Sequence, residues 1–205
     1  MIFCRLDLYF FPILDIYTPI DRTILGYKEL FSPIRRFSMK KAAVIHDLSG
    51  FGKCSLTAAI PVLSALGVQC CPVATAVLTG QTGYPCYHCT DLTAMLPDYI
   101  DAWGKNNAHF DAIYSGFLTG AKQISQVLDF IRYFREEHTL LLVDPVMGDD
   151  GNAYPFFTPG LLNGMKELTL EADVITPNLT EACLLADIPE DAFCLLYTSP
   201  SPRDG

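Results

Sequence analysis

Five short, almost wholly apolar runs recur along the middle of this chain, and each is followed by small, hydroxyl or carboxylate residues and then by a helical pattern. The runs are Ala42–His46, Val68–Val77, Ala112–Ser115, Leu140–Val143 and Val174–Thr176. Between and after them the spacing predicts helices over Ser55–Leu66, Asp91–Trp103, Gln123–Glu137, Pro159–Leu170 and Leu179–Ala186. A strand that is apolar on both faces must be covered on both faces, and alternation of strand with helix is how a parallel sheet is covered. The expected fold class is therefore α/β, a three-layer αβα sandwich around a mostly parallel sheet. Asp47–Cys54 and Leu78–Cys89 read as loops, Gly67 ends the first helix, and Pro61 is expected to kink it.

Ligands of such sheets bind outside the carboxyl ends of the strands, so the segments just after each run are the candidate site. They are His46-Asp47-Leu48-Ser49-Gly50-Phe51-Gly52, Thr79-Gly80-Gln81-Thr82-Gly83-Tyr84, Ser115-Gly116-Phe117, Asp144-Pro145-Val146-Met147-Gly148-Asp149-Asp150-Gly151 and Thr176-Pro177-Asn178-Leu179-Thr180-Glu181.

Length and charge bound the rest. The 205 residues, half of them hydrophobic and 18% charged, suffice for one domain with a buried core. A net charge of −9 disfavours a nucleic-acid partner, and no apolar run is long enough to cross a membrane. The imbalance sits in residues 39–193, with 8 basic and 18 acidic side chains, whereas residues 1–38 carry 5 and 4. Residues 1–38 hold no persistent period and are expected to be a poorly packed or non-native extension, with Met39 as the natural start. Residues 194–205 are expected to be a foreign tail. The eight cysteines form no disulfide framework. Cys86-Tyr87-His88-Cys89 has metal-site spacing but no second pair, so reduced thiols and a cytoplasmic location are expected.

Two glycine motifs fail. Gly50-x-Gly52-x-x-Ser55 lacks the third glycine and the acidic strand end of a dinucleotide site, and Gly52-Lys53-Cys54 lacks the hydroxyl of a phosphate loop. The glycines either let the backbone approach a flat ligand beside Asp47 and Ser49, or form a tight turn with Ser55 as N-cap. Asp144, Asp149 and Asp150 read either as a solvated acidic loop or as oxygen ligands for Mg²⁺. Asn178 and Glu181 form a variant capping box, and Glu181 is also placed to hold a metal-bound water.

Taken in order, these segments resemble the ribokinase-like superfamily and, within it, the pyridoxal (pyridoxamine) kinases. Asp47-Leu48-Ser49-Gly50-Phe51-Gly52, Thr75 to Tyr84, Ser115-Gly116-Phe117-Leu118, Asp144-Pro145-Val146-Met147-Gly148-Asp149 and Thr176-Pro177-Asn178-Leu179-Thr180-Glu181 carry the resemblance, over residues 39–193. It implies ATP-dependent phosphorylation of the 5′-hydroxymethyl group of a vitamin B6 vitamer, with Mg²⁺, an optional monovalent cation and a homodimeric full-length parent. It places His46, Asp47, Ser49, Thr82, Gly83 and Tyr84 at the substrate. Asp144, Thr176, Asn178 and Glu181 fall at the nucleotide, and Asp144, Asp149 and Glu181 at the metal. His46-Asp47 and Gly80-Gln81-Thr82 depart from the usual pattern, and Asp47 with Ser49-Gly50 is similar to the hydroxymethylpyrimidine kinases, the nearest rival reading. A non-catalytic small-ligand-binding α/β domain is the other. The family's base, an Asp in a Gly-x-Gly-Asp segment, has no counterpart after Glu181. The chain is therefore expected to be an N-terminal portion ending near Phe193, without a catalytic residue of its own and inactive alone.

Overall fold

The computed structural model describes residues 39–188. Its main sheet has six strands: β1 (Lys41–Phe51), β2 (Gln69–Gly80), β3 (Cys89–Asp91), β4 (Ala112–Ser115), β5 (Leu140–Val143) and β8 (Val174–Ile175). Their order is β3-β2-β1-β4-β5-β8, and every pairing is parallel except that of β3 with β2. Helices α1 (Ser55–Ala65), α2 (Leu96–Lys105), α3 (Ala121–Phe134), α4 (Pro159–Leu170) and α5 (Leu179–Ala186) complete the main body. This is the expected α/β architecture.

Alternation along β1 shows why both faces are covered. Ala43 and Ile45 join the large core with Leu96 of α2, Ile124, Val127 and Ile131 of α3, and Leu161 and Met165 of α4. Ala42 and Val44 point the other way and pack with Leu56 of α1. The α3 apolar residues recur at helical spacing, and Ile124, Val127, Leu128, Ile131 and Phe134 are all buried. In α4, Thr158 caps the helix by accepting a hydrogen bond from the Leu161 amide (3.1 Å), with Pro159 in the first turn.

Several expectations need correction. The segment read as a loop after His46 continues as strand to Phe51, and β2 runs on to Gly80, because Ser49 pairs with Leu78 and Phe51 with Gly80. The register shifts between His46 and Leu48, so Thr75 and Ala76 of β2 stand opposite Asp47 alone. Cys89–Asp91 is an antiparallel edge strand rather than loop and helix start, and α2 begins only at Leu96 after a short 3₁₀ turn, Thr93–Met95. Helix α3 stops at Phe134, since Arg135 is extended. Ser55 is not a cap: Cys54 holds the N-cap position, its amide donates to Thr57 Oγ1 (3.2 Å), and Ser55 has φ +49°. The acidic loop after β5 contains a two-residue hairpin, β6 (Gly148–Asp149) with β7 (Asn152–Ala153), turned by Asp150 and Gly151 at φ +48° and +77°. The expectations for residues 1–38 and 194–205, and for an end near Phe193, lie outside the described residues.

Candidate functional site

The carboxyl ends of β1, β4 and β5 open together onto a cavity of about 430 Å³, flanked by α1. The polar floor comes from β1. His46, Asp47 and Ser49 are buried there, and Ser49 Oγ donates to Asp47 Oδ2 (2.8 Å). The His46 ring meets Tyr114 of β4 edge-on, with centroids 4.3 Å apart. Burial lowers the His46 pKa to about 4, so the imidazole is neutral at physiological pH. Among the described residues its buried Nε2 has no hydrogen-bond partner.

The walls are largely apolar. Ala59, Val62 and Leu63 of α1 form one side, and Leu78, Phe117, Val146 and Phe156 the other. Phe117 and Phe156 meet edge-on at 5.4 Å. The Phe117 carbonyl is held by the buried Thr75 hydroxyl (2.9 Å). The mouth carries Gln81 and Thr82. The Gln81 amide donates to the Phe51 carbonyl (2.9 Å), which folds this turn against the end of β1. Gly52 has φ +88°, and a Cβ there would lie 2.9 Å from Gln81 Cγ and 3.1 Å from Tyr84 Cε2. Gly52 thus serves close packing of the turn.

At the β5 end, Asp144 lines the cavity, and burial raises its carboxyl pKa, partly opposed by the Thr176 hydroxyl. The phenol of Tyr154 is also in the wall; burial and then the nearby Asp149 carboxylate raise its pKa. Glu181 is buried behind this wall, with Oε1 accepting from the Met147 amide (3.2 Å) and Oε2 from the Asn178 amide (2.9 Å). In return the Glu181 amide donates to Asn178 Oδ1 (2.9 Å), completing the expected capping box. Asn178 Nδ2 reaches the Gly148 carbonyl (2.8 Å), so the box also pins the hairpin.

Of the residues singled out from sequence, the structure gathers His46, Asp47, Ser49, Thr82 and Asp144 around the cavity. Gly83 and Tyr84 are not in its lining; Tyr84 packs on Phe51 instead, centroids 4.9 Å apart. Thr176, Asn178, Asp149 and Glu181 also lie outside the lining. Among the described residues no three His, Cys, Asp or Glu side chains cluster to hold a metal ion. Asp149 is exposed, and the two Glu181 carboxylate oxygens accept from the Met147 and Asn178 amides. Cys86 and Cys89 are free thiols. Sequence reasoning missed Tyr114, Tyr154 and Phe156, whereas Gln81 and Phe117 lay in the strand-end segments it named. Only the Asp150-Gly151 turn, a hairpin signal that returns Tyr154 to the strand end, could have announced any of them.

A family profile described as phosphomethylpyrimidine kinase matches residues 52–192. The chain belongs to this phosphomethylpyrimidine kinase family. A *Bacteroides thetaiotaomicron* protein, provisionally described as a phosphomethylpyrimidine kinase and crystallised with pyridoxal, is 45% identical, with a TM-score of 0.73; the match covers 81% of this chain and 56% of that one. Pyridoxal kinase from *Lactobacillus plantarum* is 34% identical with a TM-score of 0.69, over 74% of this chain and 54% of that one. The curated pyridoxine/pyridoxal/pyridoxamine kinase of *Bordetella avium* is 34% identical over 143 residues, 66% of this chain and 47% of its own length. The chain thus resembles pyridoxal kinases in sequence and in fold, and it spans about half the length of the relatives named here.

Proposed function

We propose that this chain carries the substrate-binding part of an ATP-dependent kinase acting on the 5′-hydroxymethyl group of vitamin B6 vitamers. One observation carries the reading: a cavity with aromatic walls and a polar floor of His46, Asp47 and Ser49 sits at the strand ends of a chain 45% identical to a protein crystallised with pyridoxal. In this reading the pyridine ring lies between the α1 side chains and Phe117, and His46 and Asp47 hydrogen-bond its polar substituents. Thr82 reaches the ring from the turn that also carries Gly83 and Tyr84.

ATP is the proposed phosphoryl donor. The substrate hydroxyl oxygen bonds to the γ-phosphorus, the bond from that phosphorus to the departing ADP oxygen breaks, and the hydroxyl proton passes to a base. The described residues contribute orientation and exclusion of water. Asp144, Thr176, Asn178 and Glu181 lie on the proposed nucleotide side, where Asp144, Asp149 and, through a bound water, Glu181 would hold Mg²⁺, which would neutralise phosphate charge. A homodimeric full-length parent in the cytoplasm belongs to the same proposal.

The test is calorimetric titration of the 205-residue chain with pyridoxal, pyridoxamine and hydroxymethylpyrimidine, repeated with Asp47→Asn. The reading expects vitamer binding that weakens about 10- to 100-fold in Asp47→Asn, the loss of one charged hydrogen-bond partner. Binding of the pyrimidine alone would transfer the assignment to the pyrimidine, the reading favoured by the family profile's description. Binding of none of the three would sink it.

A further inference from the structure

Gly116 follows β4, and its amide donates to the Ile45 carbonyl of β1 (3.0 Å). One residue earlier, the Ser115 carbonyl accepts from the Asp144 amide (2.8 Å). The backbone here is thus tied to both neighbouring strands and has little freedom to shift. Gly116 is not among the described glycines with positive φ, which are Gly52, Gly67 and Gly151, so backbone conformation does not demand a glycine. Space does. A Cβ on Gly116 would overlap Cε1 and Nδ1 of His46 and lie 2.9 Å from Nε2. Tyr114 meets the same ring edge-on. The imidazole therefore occupies a seat that exists because residue 116 lacks a side chain.

We propose that Gly116 is a positioning residue for ligand recognition, seating the His46 ring against the end of β4 and so keeping it out of the cavity. The inference rests on the reading of this cavity as the vitamer site. Any side chain at 116 meets a pinned backbone beneath it and a movable ring above it, so the ring is what yields. The open side available to it is the cavity. A ring turned into that space takes volume from the ligand, presents its nitrogens at new positions, and regains contact with water.

The experiment compares the full chain with Gly116→Ala, His46→Ala and the double variant, reading pyridoxal affinity by titration and His46 ionisation by NMR. Gly116→Ala is expected to weaken pyridoxal about 10- to 100-fold, the usual scale of overpacking. In the His46→Ala background the same substitution is expected to cost little, because no ring is left to displace. The His46 titration should rise from about 4 toward its ordinary value in Gly116→Ala. Equal losses in both backgrounds, or an unmoved His46 titration, would overturn the proposal. If the parent chain binds no pyridoxal, the functional reading fails, and the His46 titration alone decides the role of Gly116. If Gly116→Ala does not fold, a folded double variant supports the displaced ring and an unfolded one refutes it.

Discussion

Glu181 offers a quantitative test of how the site is held together. Its carboxylate accepts from the amides of Met147 and Asn178, joining the loop after β5 to the start of α5. The Met147 residue is 1% exposed, so in Glu181→Ala its amide is left without a partner in the interior. An orphaned buried donor costs about 1–3 kcal/mol, and losing the return half of the capping box adds about 1 kcal/mol. The sum is about 2–4 kcal/mol, or roughly 4–16 °C in Tm for a domain of this size. Thermal melts followed by circular dichroism at pH 7 measure it directly. A second readout concerns charge. Burial raises the Glu181 pKa, so the folded state binds its proton more tightly than the unfolded chain. That contribution is fully present below the unfolded pKa and is lost as pH rises through the raised folded value. Glu181→Gln removes it, and the variant's stability relative to the parent should improve as pH climbs from about 4 to 7. A Glu181→Ala protein melting within about 1 °C of the parent would refute the staple.

Other outcomes follow from the same structure. The depressed His46 pKa means stability present above about pH 6.5 is lost as pH falls through about 4, on the order of 3 kcal/mol; the parent-minus-His46→Asn difference in denaturant midpoint against pH measures it. Asp111 is held below the usual carboxylate range by the Lys40 ammonium, so Lys40→Ala should raise its NMR-detected pKa. Phe130, fully buried among Trp103, Phe110 and Phe134, should cost about 3–5 kcal/mol as Phe130→Ala in urea unfolding. Among the described residues β8 pairs only with β5, and Val174 and Ile175 are exposed; Ile175→Lys should delay aggregation, measured by light scattering on heating.

What could be read from the sequence tracks what is local. The bounds of β4, β5, α4 and α5 were legible because each is a compact apolar or periodic run between turn residues, with Asn178 marking the start of α5. The extensions of β1 and β2 were not. Ser49 and Gly50 are polar and small, and they become strand only by pairing with β2 across a bulge. Strand β3 is three residues whose partner is supplied by tertiary packing. In the site, strand-end residues such as His46, Asp47 and Asp144 announced themselves by position. Tyr114 looked like an ordinary strand residue, and Phe117 and Phe156 become a wall only when the hairpin after β5 folds back. The capping role of Glu181 was visible, but its bond to Met147 spans 34 residues and was not.

The central claim, that the strand-end cavity receives a B6 vitamer, is tested most directly by a crystal structure of this chain with pyridoxal bound. The account predicts ring density between the α1 residues Ala59 and Leu63 and Phe117, with a polar substituent within hydrogen-bond distance of His46 or Asp47. Density elsewhere, for example in the hollow lined by Leu170, Ile175 and Leu185 between α4 and α5, with the strand-end cavity filled only by water, would contradict it.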